Sequence, residues 1–319
     1  MKNINFWQNK RILITGGCGF LGRHLISNIK GKTRTSDLII IQRKDFDLRK
    51  EKNIERLFKQ HKNIDIIIHL AADVGGIAYN RKFQGEVFYN NLIMNTLLME
   101  YSRLNKIGKF VGTGTVCSYP KFTPVPFVEK NLWLGYPEET NAPYGLAKKM
   151  MIVQGEAYKK QFNFNSIHLL MINLYGPGDN FDKEDSHVIS GLVRKFMEAK
   201  LKGLKEVVAW GTGKATREFL FVEDAAEAIT LATERYDKPE PVNIGSGREI
   251  SIKDLAYLIA ELSGFKGVIR WDKSKPDGQP KRRLDNNLAE TEFDFRASTS
   301  LEEGLKKTIS WYRKNMEGK

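Results

Sequence analysis

Only two of the 319 residues are cysteine, Cys18 and Cys117. Two sulfurs cannot build a disulfide framework, and such sparse use of cysteine fits a reducing compartment. No apolar run approaches the ~20 residues that a membrane-spanning helix needs. The first eleven residues carry Phe6 and Trp7 but no signal-peptide core. Zinc-ligand spacing, internal repeats and low-complexity linkers are likewise missing. These absences predict a soluble, cytoplasmic protein with neither a metal nor a membrane partner.

Negative charge is in deficit: 51 lysines and arginines face 38 acidic residues, for a net charge of +13. Such an excess can serve nucleic acid, an acidic membrane surface or anionic small substrates. Here the cations are dispersed, with no basic tail and only short clusters such as Lys281-Arg282-Arg283. No aromatic-basic patch or nucleic-acid motif accompanies them, so no nucleic-acid partner is expected. Hydrophobic residues make up 41% of the chain, enough to fill the core of one large domain or two coupled ones.

What is present begins with a buried strand, Lys10 to Thr15, running directly into Gly16-Gly17-Cys18-Gly19-Phe20-Leu21-Gly22. A helical pattern then spans about 20–30. Strand, glycine turn and helix form the setting in which Gly-x-x-Gly-x-x-Gly binds a dinucleotide. Gly16 allows the tight turn, Gly19 lets backbone approach a pyrophosphate, and Gly22 lets helix and strand close up. Phe20 and Leu21 open the helix whose N-terminal amides would face the anion.

The second strand, 37–41, ends in Gln42-Arg43-Lys44, with cations where an acid would hold a ribose 2′-hydroxyl. That favours NADP over NAD, with Arg43 toward the 2′-phosphate and Asp47-Leu48 near the adenine. A third strand, 63–72, ends in Leu70-Ala71-Ala72, small enough for a flat cofactor to lie against. His69, inside that apolar run, reads as core. A long helix spans 84–104. A fourth strand, 109–112, leads to Thr115 and Cys117, and a fifth covers 166–172. This alternation predicts an α/β fold, a Rossmann-type doubly wound parallel sheet whose ligands sit beyond the strands' carboxyl ends.

Between the fourth and fifth strands lies Asn141-Ala142-Pro143-Tyr144-Gly145-Leu146-Ala147-Lys148. Asn141 is a candidate N-cap and Pro143 suits a first turn. Tyr144 and Lys148, four apart, project from one face. An ammonium beside a phenol favours the phenolate, so a lowered tyrosine pKa is expected. The last third, with helices near 187–200, 222–234, 251–262 and 301–314, predicts a smaller α/β domain. The expected division is 1–173 for the cofactor, with 215–245 returning to it, and 174–319 for the substrate.

Glycine turn, Thr115 and Tyr-x-x-x-Lys together resemble the extended short-chain dehydrogenase/reductases. Further blocks resemble the GDP-L-fucose synthase family: Leu70 to Ile77, Cys117 to Phe122, Asn173 to Phe181, Ser186 to Ile189, Trp210 to Gly213, Arg217 to Leu220 and Lys275 to Pro280. They occur in order over nearly the whole chain. The resemblance implies C3/C5 epimerisation and NADPH-dependent C4 reduction of a GDP-4-keto-6-deoxy sugar. It makes Thr115, Tyr144 and Lys148 the reductive group, with Cys117 as epimerisation base and His187 as acid. It also implies substrate contacts by Asn173, His187, Lys195, Trp210, Arg217 and Asp277, and a homodimer formed by two long helices. The departures are Thr115-Val116 in place of the family's Ser-Ser and an unusual Leu132 to Pro137 stretch, both near the expected sugar. A 4,6-dehydratase would want an acid where Val116 stands. An epimerase that recycles a tightly held NAD(P) and a catalytically silent nucleotide-binding protein stay open.

Overall fold

Short runs of β-branched residues build the centre of the molecule. The computed structural model describes residues 6–34, 37–182, 186–274 and 278–316. In chain order the first part runs β1 (Ile12–Thr15), α1 (Phe20–Lys30), β2 (Leu38–Ile41), α2 (Glu51–Gln60), β3 (Ile66–His69), α3 (Ile77–Lys82), α4 (Gln84–Leu104), β4 (Lys109–Thr115), α5 (Ala142–Phe162) and β5 (Ser166–Met171). The remainder runs β6 (Asn173–Tyr175), α6 (Val188–Leu201), β7 (Glu206–Trp210), β8 (Thr216–Phe221), α7 (Val222–Arg235), β9 (Val242–Ile244), β10 (Glu249–Ser251), α8 (Ile252–Ser263), β11 (Val268–Asp272), α9 (Asn287–Phe293) and α10 (Leu301–Met316).

Six strands form one parallel sheet in the order β2-β1-β3-β4-β5-β9. The fold is α/β and Rossmann-like, as the alternation predicts. Side-chain alternation along each strand feeds two cores. Ile12 and Ile14 pack on one face with Leu25, Ile26 and Ile29 of α1 and Ala225 and Ile229 of α7. Leu13 points the other way, into a cluster with Leu98 and Met99 of α4 and Met151 of α5. Each fully buried aliphatic side chain contributes about 1.5–3 kcal/mol, so this two-sided burial fixes strand register. The strand order reverses between β1 and β3, which opens a crevice above their carboxyl ends.

The third strand is shorter than the apolar run suggests. Asn63 takes a left-handed backbone, φ 56°, and pairing proper begins at Ile66. Beyond His69 only Leu70 N–H still reaches Thr15 O, at 3.2 Å, before the chain leaves the ladder.

A three-stranded sheet, β10-β8-β6, and a β11-β7 pair carry the rest, packed with α6, α8 and α10 around Val193, Phe196, Leu255, Ile259 and Leu305. Glu218 on β8 is fully buried and accepts the amides of Gly247 and Leu284, both at 2.7 Å. Asn243 on β9 donates to the carbonyls of Phe127 (2.8 Å) and Asp285 (3.0 Å) and accepts the Tyr119 hydroxyl (2.7 Å). Asn243 ties segments 117–127 and 282–286 together, and Glu218 holds the second of them at Leu284.

Candidate active site

The glycine turn is as tight as its spacing requires. Gly16 has φ +69°, and a side chain there would put a carbon 2.8 Å from Ala71 N on the neighbouring strand end. At Gly22 an added carbon would run into the Gly16 carbonyl. Gly19 caps α1 in extended conformation with no side chain in the way, ahead of Phe20 and Leu21. The turn and Leu70-Ala71-Ala72 therefore face each other across the switch point. His69 beneath them is core, as expected: it sits between Thr15 Oγ1 (2.7 Å) and Asn95 Oδ1 (2.9 Å), and burial holds its pKa down to about 3.

At the tip of β2, Arg43 is exposed. Asp47 is gripped by Arg49 through two contacts, Nε–Oδ1 at 2.8 Å and Nη2–Oδ2 at 2.7 Å, and the guanidinium holds its carboxyl down to about 2. Arg49 also donates to Asn90 Oδ1 at 3.2 Å, while Leu48 is buried.

β4 ends in a 3₁₀ turn, Val116–Ser118, capped by Thr115, whose Oγ1 accepts the Cys117 amide at 3.2 Å. With that lone pair used, the Thr115 hydroxyl hydrogen is available to donate outward. The start of α5 lies directly on this turn: Ser118 Oγ donates to Gly145 O at 2.8 Å, and a side chain at Gly145 would collide with the Cys117 carbonyl. Tyr144 is thereby brought beside Cys117.

Two local expectations for α5 are corrected. Asn141 occupies the N-cap position but its side chain does not cap the helix; it bonds Glu138, at 2.9 Å. Tyr144 is not acidified. Burial, then the charge of Cys117, push its phenol up, because desolvation of a phenolate outweighs an ammonium one turn away. Lys148 yields instead: it is 1% exposed, its Nζ has no hydrogen-bond partner among the described residues, and burial lowers its pKa to about 8. An unpartnered buried ammonium is costly, and its donors could meet acceptors brought by a ligand.

His187 ends an extended segment and opens α6, with Nδ1 3.6 Å from Asp179 Oδ1. The nearby Asp179 carboxylate raises the imidazole pKa, against partial desolvation. A contact from His24 Nε2 to Pro177 O, 2.9 Å, links this loop back to α1.

Of the remaining candidates, Asn173 donates to Glu218 O at 3.0 Å. Lys195 donates to Val208 O at 3.1 Å and lies 5.2 Å over the ring of Trp210, which is 64% exposed. Arg217 donates to the Thr216 carbonyl at 2.7 Å. The carboxylates beside it in sequence have other donors: Glu218 as above, and Asp224 with Ser298 and Thr299. Asp277 lies outside the described residues. Sequence reasoning missed Asp179, Arg49, Asn95 and Arg282. Only the Lys281-Arg282-Arg283 cluster signalled the last, and it read as solvated surface.

Residues 12–245 match the profile of the "NAD dependent epimerase/dehydratase family". The chain belongs to that family. Within it, the chain is 37% identical over 309 residues to GDP-L-fucose synthase 1 of Arabidopsis thaliana, covering 97% of this chain and 95% of the relative. A solved GDP-6-OMe-4-keto-L-xylo-heptose reductase from C. jejuni superposes with a TM-score of 0.89 at 27% identity, over 96% of this chain and 98% of that one. A GDP-L-fucose synthetase from Naegleria fowleri, solved bound to NADP, gives 0.87 at 29% identity over 98% and 96%. For a family member, the tight glycine turn and the unpartnered Lys148 Nζ suit a dinucleotide.

Proposed function

We propose that this enzyme epimerises a GDP-4-keto-6-deoxy-hexose at C3 and C5 and reduces its C4 ketone with NADPH. What carries the reading is Lys148, buried and unpartnered on the helix that starts against the Cys117 turn. The names of the relatives support the GDP-sugar and the nicotinamide cofactor. Residues 1–173 with 215–245 serve the cofactor and 174–319 the sugar, consistent with β9 joining the large sheet. The enzyme works in the cytoplasm as a homodimer through α4 and α5, where Phe88, Tyr89, Met150 and Val153 stay exposed. Light scattering of the purified protein checks the dimer.

The chemistry follows from the side chains. Hydrogens on C3 and C5 are both acidified by the C4 carbonyl, so one site can serve both. Cys117 Sγ, as thiolate, takes the proton, and the electron pair moves onto the C4 oxygen. Thr115 and Tyr144 donate hydrogen bonds to that oxygen, each worth about 3 kcal/mol where pre-positioned. His187, whose imidazole pKa the Asp179 carboxylate raises, returns a proton to the opposite face. Cys117 and His187 then exchange their protons with water. Bound NADPH supplies the hydride for C4. Tyr144 gives the C4 oxygen its phenolic proton, which its raised pKa keeps in place until then, and the Lys148 ammonium steadies the resulting phenolate. Arg43 faces the 2′-phosphate. Asn173, Lys195, Trp210, Arg217 and Asp277 hold the nucleotide-sugar, with Trp210 against the base.

Incubation with GDP-4-keto-6-deoxy-mannose and NADPH in deuterated water tests this. Stoichiometric NADPH loss with deuterium at C3 and C5 is expected. Label without net oxidation would replace it with a hydride-recycling epimerase, and reduction of a GDP-keto-heptose alone would change the sugar.

A further inference from the structure

Arg282 reaches Cys117 from a distant part of the chain: its Nη1 lies 3.7 Å from Cys117 Sγ across 165 residues. The rest of the guanidinium is directed at a neutral group. Nε donates to Gln279 Oε1 at 3.0 Å and Nη2 donates to the same oxygen. No carboxylate among the described residues lies within ion-pair distance of it. The cation is half-buried, uncompensated by an acid among the described residues, and aimed at a sulfur.

Its position is fixed from several sides. Gln279 Nε2 donates to Lys121 O at 2.8 Å, four residues after Cys117. The Arg282 carbonyl accepts Glu218 N–H at 3.1 Å, and Glu218 in turn takes the Leu284 amide. Arg283 O accepts the Phe127 amide at 2.8 Å, and Asp285 N–H returns to Phe127 O at 2.9 Å. The buried Glu218 and Asn243 thus brace a strap whose outward product is one guanidinium beside one thiol.

We infer that Arg282 is a positioning residue: its guanidinium fixes the direction of the Cys117 sulfur and sets a positive charge against it for proton abstraction. The inference rests on Cys117 being the epimerisation base. Tyr144 faces it from α5, Lys148 follows one turn along α5, and Lys121 is paired with Glu139 at 2.9 Å. Among the described residues, Arg282 is the cation in contact with the sulfur. The thiol proton leaves to solvent, and the sulfur's electron pair then takes the carbon-bound hydrogen as a proton. No oxidant or reductant enters.

An opposite charge at this distance changes the thiolate fraction about tenfold or more, and the thiolate is the form that alkylates. Iodoacetamide labelling of the purified full chain, followed peptide by peptide to separate Cys117 from Cys18, reads this without substrate. For Arg282→Gln, Cys117 labelling at pH 7 is expected to fall about tenfold and to regain the wild-type rate by pH 10. Arg282→Lys, which keeps the charge, should stay within about threefold of wild type at pH 7 and carries the test if the glutamine variant does not fold. A labelling profile in Arg282→Gln that superposes on wild type across pH, or a loss in Arg282→Lys as deep as tenfold, overturns the inference. The assay is independent of the sugar. A shifted profile with no exchange on any GDP-4-keto sugar keeps the Arg282–Cys117 pair and removes the proposed reaction, and deuterium exchange with an unshifted profile does the reverse.

Discussion

Gly145 packs so closely beneath the carbonyl of Cys117 that a single added carbon would occupy the space of that oxygen. The glycine lies one residue after Tyr144, and its own carbonyl accepts Ser118 Oγ at 2.8 Å. Tyr144 and Cys117, the proposed proton donor and base, are therefore spaced by backbone contact rather than by side-chain reach. Gly145→Ala should push α5 off the 3₁₀ turn. Displacements of about 1 Å in such sites cost roughly 100-fold in rate. A loss of this size in kcat, with NADPH affinity changed less than about threefold, is the expected steady-state result.

Lys148 makes the folded protein less stable than it need be. Its folded-state pKa, about 8, lies below the ordinary 10.5, so the unfolded chain binds the extra proton between those values. The penalty is full below pH 8 and fades as pH rises toward 10.5. Lys148→Met should raise unfolding free energy at pH 7 by up to about 3 kcal/mol while abolishing reduction. Paired urea titrations at pH 7 and pH 10 check the sign: the advantage of the methionine variant should shrink at the higher pH.

Much of this was legible because local signals and global fold agree. The extent of α1 follows from apolar period, and the glycine turn declares itself because strand and helix flank it. The environment of Tyr144 was not legible. Charge spacing along α5 suggested an acidified phenol, whereas burial, which depends on the 3₁₀ turn and the sheet end, decides the direction. Arg282 was hidden for a similar reason. Its neighbours Lys281 and Arg283 make it look like surface, and only the brace from Glu218, 64 or more residues upstream, turns it inward.

Cys117→Ser should abolish deuterium entry at C3 and C5 by at least about 1,000-fold, since a serine hydroxyl is a far weaker base, while NADPH titrations stay unchanged. Asp179→Asn probes the other proton. Asp179 raises the His187 pKa, so protonated imidazole persists to higher pH with the aspartate present. Removing its charge should move the alkaline limb of the exchange rate to lower pH and reduce exchange at pH 7.5 several-fold. A limb that does not move would assign the acid elsewhere.

Two arginines near the end of β2 have different duties. Arg49 is committed to Asp47 and Asn90, whereas Arg43 is exposed and makes no ion pair or hydrogen bond among the described residues. A 2′-phosphate is a dianion that a 2′-hydroxyl is not, so only a cation able to reach it discriminates between the two cofactors. Arg43→Asp should weaken NADPH at least tenfold by isothermal titration and leave NADH within about threefold. Arg49→Met should instead weaken both cofactors alike, because it loosens Asp47 and Asn90 rather than a phosphate contact. Equal losses of the two cofactors in Arg43→Asp would move phosphate recognition to another cation, with Lys44, its exposed neighbour, next to be replaced.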